Sequence, residues 1–214
     1  MEALEEKEIK PYFHFPELPL TDAEHLTVKN LAVGYYYPIL KHISFRIKGG
    51  QKVVMTGFNG IGKSTLLKTL MGQIPSMEGH FGFSPQAKIG YFEQELGWPD
   101  DTRTPIQIVS DAVPDRIVKE IRKHLAQCGI SARHAMQPIG TLSGGEQVKV
   151  KMALLTLAPC NFLIMDEPTN HLDVSAKDSL KTALREFSGT VLLVSHEELF
   201  YRDWIEKIID IEKC

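Results

Sequence analysis

The chain has 214 residues, 43% of them hydrophobic, and a formal net charge of −3. That is enough apolar material to bury a full core in one domain with subdomains, and the mild acidity argues against a broadly basic nucleic-acid-binding surface. No apolar run approaches the roughly 18–20 residues needed to span a bilayer, and the charged start excludes a secretory signal.

Glu2, Glu5, Glu6, Lys7, Glu8 and Lys10 open the chain in a charged stretch compatible with a helix, and Pro11, Pro16 and Pro19 then break it. Residues 1–24 therefore read as an arm or linker tail, and 25–214 as the folded domain. His25–Val33 and His42–Ile47 alternate as antiparallel strands do, joined by a Tyr-rich turn that ends at Pro38. Lys52–Thr56 is a short β-branched run suited to a buried parallel strand. Gly57–Thr65 follows and matches G-x-x-x-x-G-K-[ST] at every fixed position. Leu66, Leu67, Leu70 and Met71 then repeat at helical spacing, with Gly72 as the stop.

Asp115–Gln127 is predicted as an amphipathic helix carrying Ile117, Ile121 and Leu125 on one stripe and Gly129 as its stop. Lys119, Arg122 and Lys123, like Lys149 and Lys151, read as solvated helix faces. Ser143 caps a helix that begins near Gly144 and runs through Val148, Met152 and Leu155. Phe162–Met165 is an apolar strand delivering Asp166 and Glu167. Ser175–Phe187 is a further helix, with Ser175 and Asp178 as a capping-box-like pair and Gly189 closing it. Thr190–Val194 is a third buried strand, ending at Ser195 and His196. Cys128, Cys160 and Cys214 follow no metal or disulfide spacing and suit a reducing cytoplasm.

The chemistry begins at the glycine-rich loop. Gly57, Gly60 and Gly62 let the backbone wrap a polyphosphate so that successive N–H groups form an anion nest at a helix N-terminus. Lys63 would reach the β- and γ-phosphates, and the Ser64 hydroxyl would ligate Mg²⁺. The competing explanation is a glycine-rich turn with a chance Gly-Lys-Ser, which the strand–loop–helix context disfavours. Asp166 stands where ligand groups of open α/β sheets belong and suits a direct or outer-sphere Mg²⁺ contact. Glu167 faces a different direction and suits polarising an attacking water. His196, at the carboxyl edge of a buried strand, is placed to touch the γ-phosphate. His171 is assigned a structural or interface role.

Gly57–Thr65, Leu142–Glu146 and Phe162–Glu167 resemble the Walker A, signature and Walker B motifs of an ATP-binding cassette (ABC) domain. The resemblance implies an α/β fold, namely a P-loop NTPase (RecA-like) ABC nucleotide-binding domain with an antiparallel β-subdomain and a helical subdomain inserted over about 96–157. ATP and Mg²⁺ are the implied cofactors. Gln94 resembles the Q-loop glutamine that senses Mg²⁺ and the γ-phosphate, Asp173 the D-loop aspartate, and His196 the switch histidine. Tyr35 resembles the aromatic that stacks on adenine, with Tyr36 and Tyr37 as near alternatives. The nucleotide-binding set implied is thus Tyr35, Gly57, Asn59, Gly60, Gly62, Lys63, Ser64, Thr65, Ser143, Gly144, Gly145 and Asp173. Glu167, His196 and Gln94 are the catalytic set, and Ser64, Gln94 and Asp166 the metal set. In the family's arrangement Ser143 and Gly145 reach the γ-phosphate of an opposing cassette, so one molecule does not complete its own site.

Asp166-Glu167-Pro168-Thr169-Asn170-His171-Leu172-Asp173 further resembles the wording of ABC-F proteins, cytosolic ATPases that act on ribosomes. The short span from Lys63 to Ser143 agrees. Residues 135–140 also lack the acidic, glycine-bearing segment through which many exporters contact their membrane domains. ABC-F proteins normally carry two cassettes, whereas no motif occurs twice here. The chain then reads as a detached C-terminal half, a truncated gene or a single-cassette protein. Its implied partners are a second cassette (a homodimer or a tandem partner) and the ribosome. The alternative is the ATP-binding subunit of a transporter, with a membrane subunit as partner. Either reading implies a cytoplasmic location without direct membrane insertion.

Overall fold

The computed structural model describes residues 10–20 and 23–213. The charged stretch expected at 2–10 lies, apart from Lys10, outside them. In chain order the elements are β1 (Glu24–Gly34), β2 (Pro38–Lys48), β3 (Lys52–Thr56), α1 (Lys63–Leu70), β4 (Glu78–Phe83), β5 (Ile89–Phe92), α2 (Pro105–Ala112), α3 (Val118–Gln127), α4 (Gly144–Leu155), β6 (Phe162–Asp166), α5 (Val174–Glu186), β7 (Thr190–Val194), α6 (Glu198–Tyr201) and β8 (Lys207–Asp210). They divide into two compact units. A sheet unit comprises Pro16–Gln94, Pro159–Thr169 and Leu184–Cys214; a helical unit comprises Met1–Phe15, Glu95–Ala158 and Asn170–Ala183.

The sheet unit holds a five-stranded parallel sheet in the order β5-β6-β7-β3-β8. Every residue of β6 and β7 is buried, as expected of strands paired on both edges and covered on both faces. Leu66, Leu67 and Leu70 of α1 join Val53, Met55, Ile164 and Leu192 of the sheet in one apolar cluster. Helix α1 ends in a Schellman motif, with Gln73 N–H donating to Lys68 O at 2.9 Å and Gly72 N–H to Thr69 O at 2.9 Å.

A second, antiparallel sheet runs β2-β1-β4. Strand β2 alternates strictly enough that Leu40, Ile43, Phe45 and Ile47 point into the same cluster as Leu26, Val28, Leu31 and Val33 of β1. Strand β4 has no sequence signal of comparable strength, because Gly79 and Gly82 interrupt it. It is recruited by pairing: Leu26 faces Phe83 and Val28 faces Phe81. A bulge at Asn30, whose φ is +48°, shifts both registers of β1. Gly79, at φ +74°, lies so close that a Cβ there would stand 2.1 Å from Asn30 O.

In the helical unit, Thr104 and Gln107 form a reciprocal capping box at α2, with Pro105 at its first position. The expected stripe on α3 is present only in part. The helix starts at Val118 rather than Asp115, because Val113–Arg116 closes a turn through Arg116 N–H to Val113 O at 3.0 Å. Ile121 and Leu125 are therefore buried, whereas Ile117 is left exposed at the cap. Helix α5 also departs from expectation. Asp173 Oδ1 accepts from Ala176 N–H at 2.8 Å, so Asp173 is the cap and Ser175 lies inside the first turn.

Residues 10–20 form neither helix nor strand, apart from an isolated bridge between Glu17 and Cys160. In the helical unit Tyr12 N–H donates to Gln127 O at 2.7 Å and Phe13 N–H to Ser179 Oγ at 3.2 Å; Phe13 and Phe15 are buried. In the sheet unit Leu18 N–H donates to Cys160 O at 3.0 Å, and Glu17 accepts from Ser188 through both carboxylate oxygens at 2.7 Å. Cys128 and Cys160 are buried free thiols, and Cys214 lies outside the described residues. Among the described residues no helix is long and apolar enough to cross a membrane.

Replacing Gly79 by Ala should destabilise the protein by at least about 2 kcal/mol, since it combines a left-handed backbone with a backbone clash. Urea denaturation of the two proteins would measure it; a loss below about 0.5 kcal/mol would show that the bulge relaxes freely.

Candidate nucleotide-binding site

Strand β3 ends at Thr56 and the chain turns through Gly57 to Gly62 before α1 starts at Lys63. Gly62 is the N-cap in a left-handed conformation, φ +116°, and a Cβ there would press on Ile39 and Leu40 at 3.1–3.2 Å. The loop curls around its own lysine. Lys63 is only 6% exposed, and its Nζ donates to Gly57 O at 2.8 Å and Phe58 O at 3.0 Å. Burial pulls the Lys63 pKa down, against the fields of Glu167, Asp166 and Glu212. Asn59 and Gly60 form the exposed tip, and Ser64 and Thr65 occupy the first turn of α1. Phe58 N–H donates to Glu212 Oε1 at 3.0 Å, tying the loop to the segment after β8.

Asp166 closes β6, paired with Val194 of β7. It is 1% exposed, and neither carboxylate oxygen has a hydrogen-bond partner among the described residues. Burial raises its pKa, opposed by the neighbouring Ser64 hydroxyl and the Lys63 ammonium. A buried, unsatisfied carboxylate beside a hydroxyl offers the oxygen ligands a hard divalent cation takes, so Asp166 and Ser64 fit Mg²⁺.

Glu167 is also buried and sits at φ +47°, a conformation uncommon for a non-glycine residue. Its N–H donates to Val194 O at 2.9 Å, continuing the β6–β7 ladder by one step. The left-handed turn redirects the side chain toward β7. There His196 Nε2 stands 3.2 Å from Oε1 and His196 N–H donates to Oε2 at 3.4 Å. Burial pushes the Glu167 pKa up to about 7, with the His196 N–H lowering it and Asp166 raising it. The His196 pKa is drawn down by burial and then by the Lys63 charge.

Gln94 lies exposed two residues past the end of β5, the strand adjoining β6. Just before it, Glu93 Oε1 meets Lys68 Nζ at 3.6 Å. Tyr35, Tyr36 and Tyr37 are exposed in the β1–β2 turn, and the strand that leaves it carries the Ile39 and Leu40 side chains that touch the loop at Gly62. The three tyrosines remain equivalent candidates for a base-stacking surface beside that loop.

Ser143, Gly144, Gly145 and Asp173 belong to the helical unit. Ser143 caps α4 in a reciprocal box with Glu146. The two glycines have an intramolecular reason to be glycine. The ring of His171 lies 3.2–3.4 Å from where a Gly144 Cβ would be, and His171 O lies 2.6 Å from that of Gly145. His171 itself adopts φ +66°. Asp173 is committed on both oxygens: Oδ1 to its cap and Oδ2 to Lys149 Nζ at 2.7 Å. Burial would raise its pKa, but those two contacts hold it below the usual carboxylate value. Glu212, Lys68 and the Glu146 partner His134 were not singled out by sequence reasoning, because each acts across a separation that no local pattern spans.

Comparison with known proteins agrees with this geometry. A family model described as ABC transporter matches residues 40–170. The ABC transporter ATP-binding protein YfmM of Bacillus subtilis, itself uncharacterised, is 42% identical over 194 residues, covering 91% of this chain and 37% of its own length. ABC transporter F family member 2 of Arabidopsis thaliana is 34% identical over 222 residues, 99% of this chain and 33% of the relative. This chain thus spans about a third of the length of these curated relatives. In fold it matches the ATP-binding cassette MJ0796, solved as a dimer in a post-hydrolysis state bound to ADP and Pi. That match has a TM-score of 0.72 at 22% identity, over 87% of this chain and 94% of the other. A phosphate loop opposite buried acidic residues, on this sheet and with these relatives, places the chain in the ABC family of ATP-binding cassettes, with ABC-F proteins among its homologues.

Proposed function

We propose that the chain is a Mg²⁺-dependent ATPase cassette that hydrolyses ATP as one half of a cassette pair and acts on ribosomes in the cytoplasm. The observation that carries the ATPase reading is the buried acidic pair, Asp166 without a hydrogen-bond partner and Glu167 raised to about 7, within the field of Lys63. ATP's phosphates lie in the loop 57–65, against Lys63 and the N–H groups that open α1. Ser64, Asp166 and Gln94 would hold Mg²⁺, which when bound neutralises charge on the phosphate oxygens.

Glu167 accepts a proton from the attacking water. A base whose pKa lies near neutrality is matched to that task. His196, against the Glu167 carboxylate at 3.2 Å, orients it and contacts the γ-phosphate. One of Tyr35, Tyr36 and Tyr37 stacks on adenine. Asp173, from the D-loop position, and Ser143 with Gly144 and Gly145 serve the nucleotide of the opposing cassette. Support for the pair comes from the dimeric MJ0796 cassette. Support for the ribosome comes from the ABC-F relatives and the Asp166–Asp173 wording. On domain organisation, residues 25–214 act as the cassette and 1–24 as its linker or arm.

The second reading, an ATP-binding subunit of a membrane transporter, is favoured by the printed name of YfmM. ATP-dependent co-sedimentation with ribosomes supports the first reading. ATPase stimulation by a co-purifying membrane protein supports the second.

Glu167→Gln should keep ATP binding, lose turnover by at least about 100-fold and accumulate an ATP-dependent dimer; turnover at the wild-type rate would remove Glu167 as the base. The same variant reports on burial. The Glu167 pKa is raised in the folded state, so its contribution to stability is present below about pH 4.5 and is lost as pH rises through about 7. Without nucleotide, the melting temperature of Glu167→Gln minus that of wild type should therefore climb between those pH values. A flat difference would mean that the carboxylate titrates normally.

A further inference from the structure

Ser143 begins α4, and its polar groups are already engaged. Glu146 Oε2 accepts both the Ser143 N–H and the Ser143 hydroxyl at 2.8 Å, while Ser143 Oγ accepts from Glu146 N–H at 3.3 Å. The hydroxyl has one proton, and the carboxylate holds it. A helix N-terminus favours one anion, and here the first anion present is the chain's own. A phosphate arriving at Ser143 therefore meets a like charge and a competitor for the same donors.

The Glu146 carboxylate has a second partner. His134 Nδ1 lies 2.6 Å from Oε1, a contact that requires the proton on Nδ1. The backbone that carries the imidazole is fixed: His134 N–H donates to Ser131 Oγ at 3.1 Å, Ala135 N–H donates to Ser131 O at 2.9 Å, and Ala135 is buried. The other basic groups on the helix are turned elsewhere, Lys149 to Asp173 at 2.7 Å and Lys151 to the Trp98 ring at 5.8 Å. Among the ion pairs of the described residues, His134 is the one that meets Glu146.

We propose that His134 is a positioning residue for the signature serine. By donating its Nδ1–H to Oε1, it gives the Glu146 carboxylate a second donor, which lets Ser143 turn its hydroxyl to an incoming γ-phosphate while Oε2 keeps the Ser143 N–H. The inference rests on the reading of Ser143 as a ligand to nucleotide held by a second cassette. It also explains how a carboxylate is tolerated at a position that must receive a polyphosphate.

The test is a double-mutant cycle on the full chain carrying Glu167→Gln, reading the ATP concentration that half-saturates dimer formation by light scattering. His134→Ala should raise that concentration by about tenfold, the weight of one charge-assisted hydrogen bond. With Glu146→Gln also present there is no carboxylate for His134 to hold, and the same change should matter by less than about twofold. A purely structural role for His134 would shift both backgrounds equally. An equal shift, or none in either, overturns the proposal. Ser143→Ala separates the two levels: if it dimerises like its parent, the signature reading itself fails, and with it this inference. If it is defective while His134→Ala is not, the inference alone fails. A parent that stays monomeric at every ATP concentration overturns both.

Discussion

Two carboxylates buried at the end of one strand, with the Lys63 ammonium opposite, set the terms for the rest of the sheet unit. Asp166 and Glu167 are taken out of water by strands on both sides of β6, and Lys63 is the cation whose field reaches both. Such a cluster is expensive unless something balances it. The protein offsets part of the cost by shifting proton affinities: the acids are pushed up and the lysine is pulled down. The remainder is a standing demand for positive charge at Asp166 and for acceptors at the loop, whose N–H groups are donors. A phosphate–cation pair satisfies both demands together, which is why the glycine-rich turn and the acidic strand end form one chemical unit.

Strands β3, β6 and β7 of the parallel sheet were legible from sequence because they are short apolar runs, and the loop after β3 because it follows a rigid spacing rule; β5 and β8 at the sheet's edges were not read as strands. The helix capped by Ser143 was legible because a serine directly precedes its first turn. What escaped was structure created by pairing rather than by pattern. Strand β4 carries two glycines and exists because the bulged β1 offers it an edge. The start of α3 was misplaced because Ile117 continues the apolar stripe, although the turn at Val113–Arg116 removes it from the helix. In α5 the Ser175–Asp178 pair suggested a start two residues too late, whereas Asp173 sits directly before the first helical residue and caps it.

The candidate site shows the same division. Lys63, Ser64, Asp166, Glu167 and His196 could be singled out as candidates because they stand at, or shortly after, the ends of buried strands. Their energetic state was not legible, since no sequence pattern signals a left-handed Glu167 or a histidine 3.2 Å from it. Glu212 and His134 were invisible for a plainer reason. Each joins its partner through folding geometry, and neither lies in a motif. Ser143 read as an ordinary helix cap, and only the structure shows that Glu146 completes the box and is itself held by His134.

The seating of His171 O on Gly145 also constrains how this sequence can drift. A side chain at 145 would need room that the backbone at 171 occupies, and His171 holds that backbone in a left-handed turn. The two positions are separated in the chain by the rest of α4 and all of β6, yet a side chain at 145 depends on the backbone at 171. Side chains at 145 become admissible only after the turn at 171 has moved, so the order of substitutions matters as much as their identity. Swapping the segment around 171 for that of a distant cassette would therefore be tolerated only if the helix-opening segment at 143–146 travelled with it.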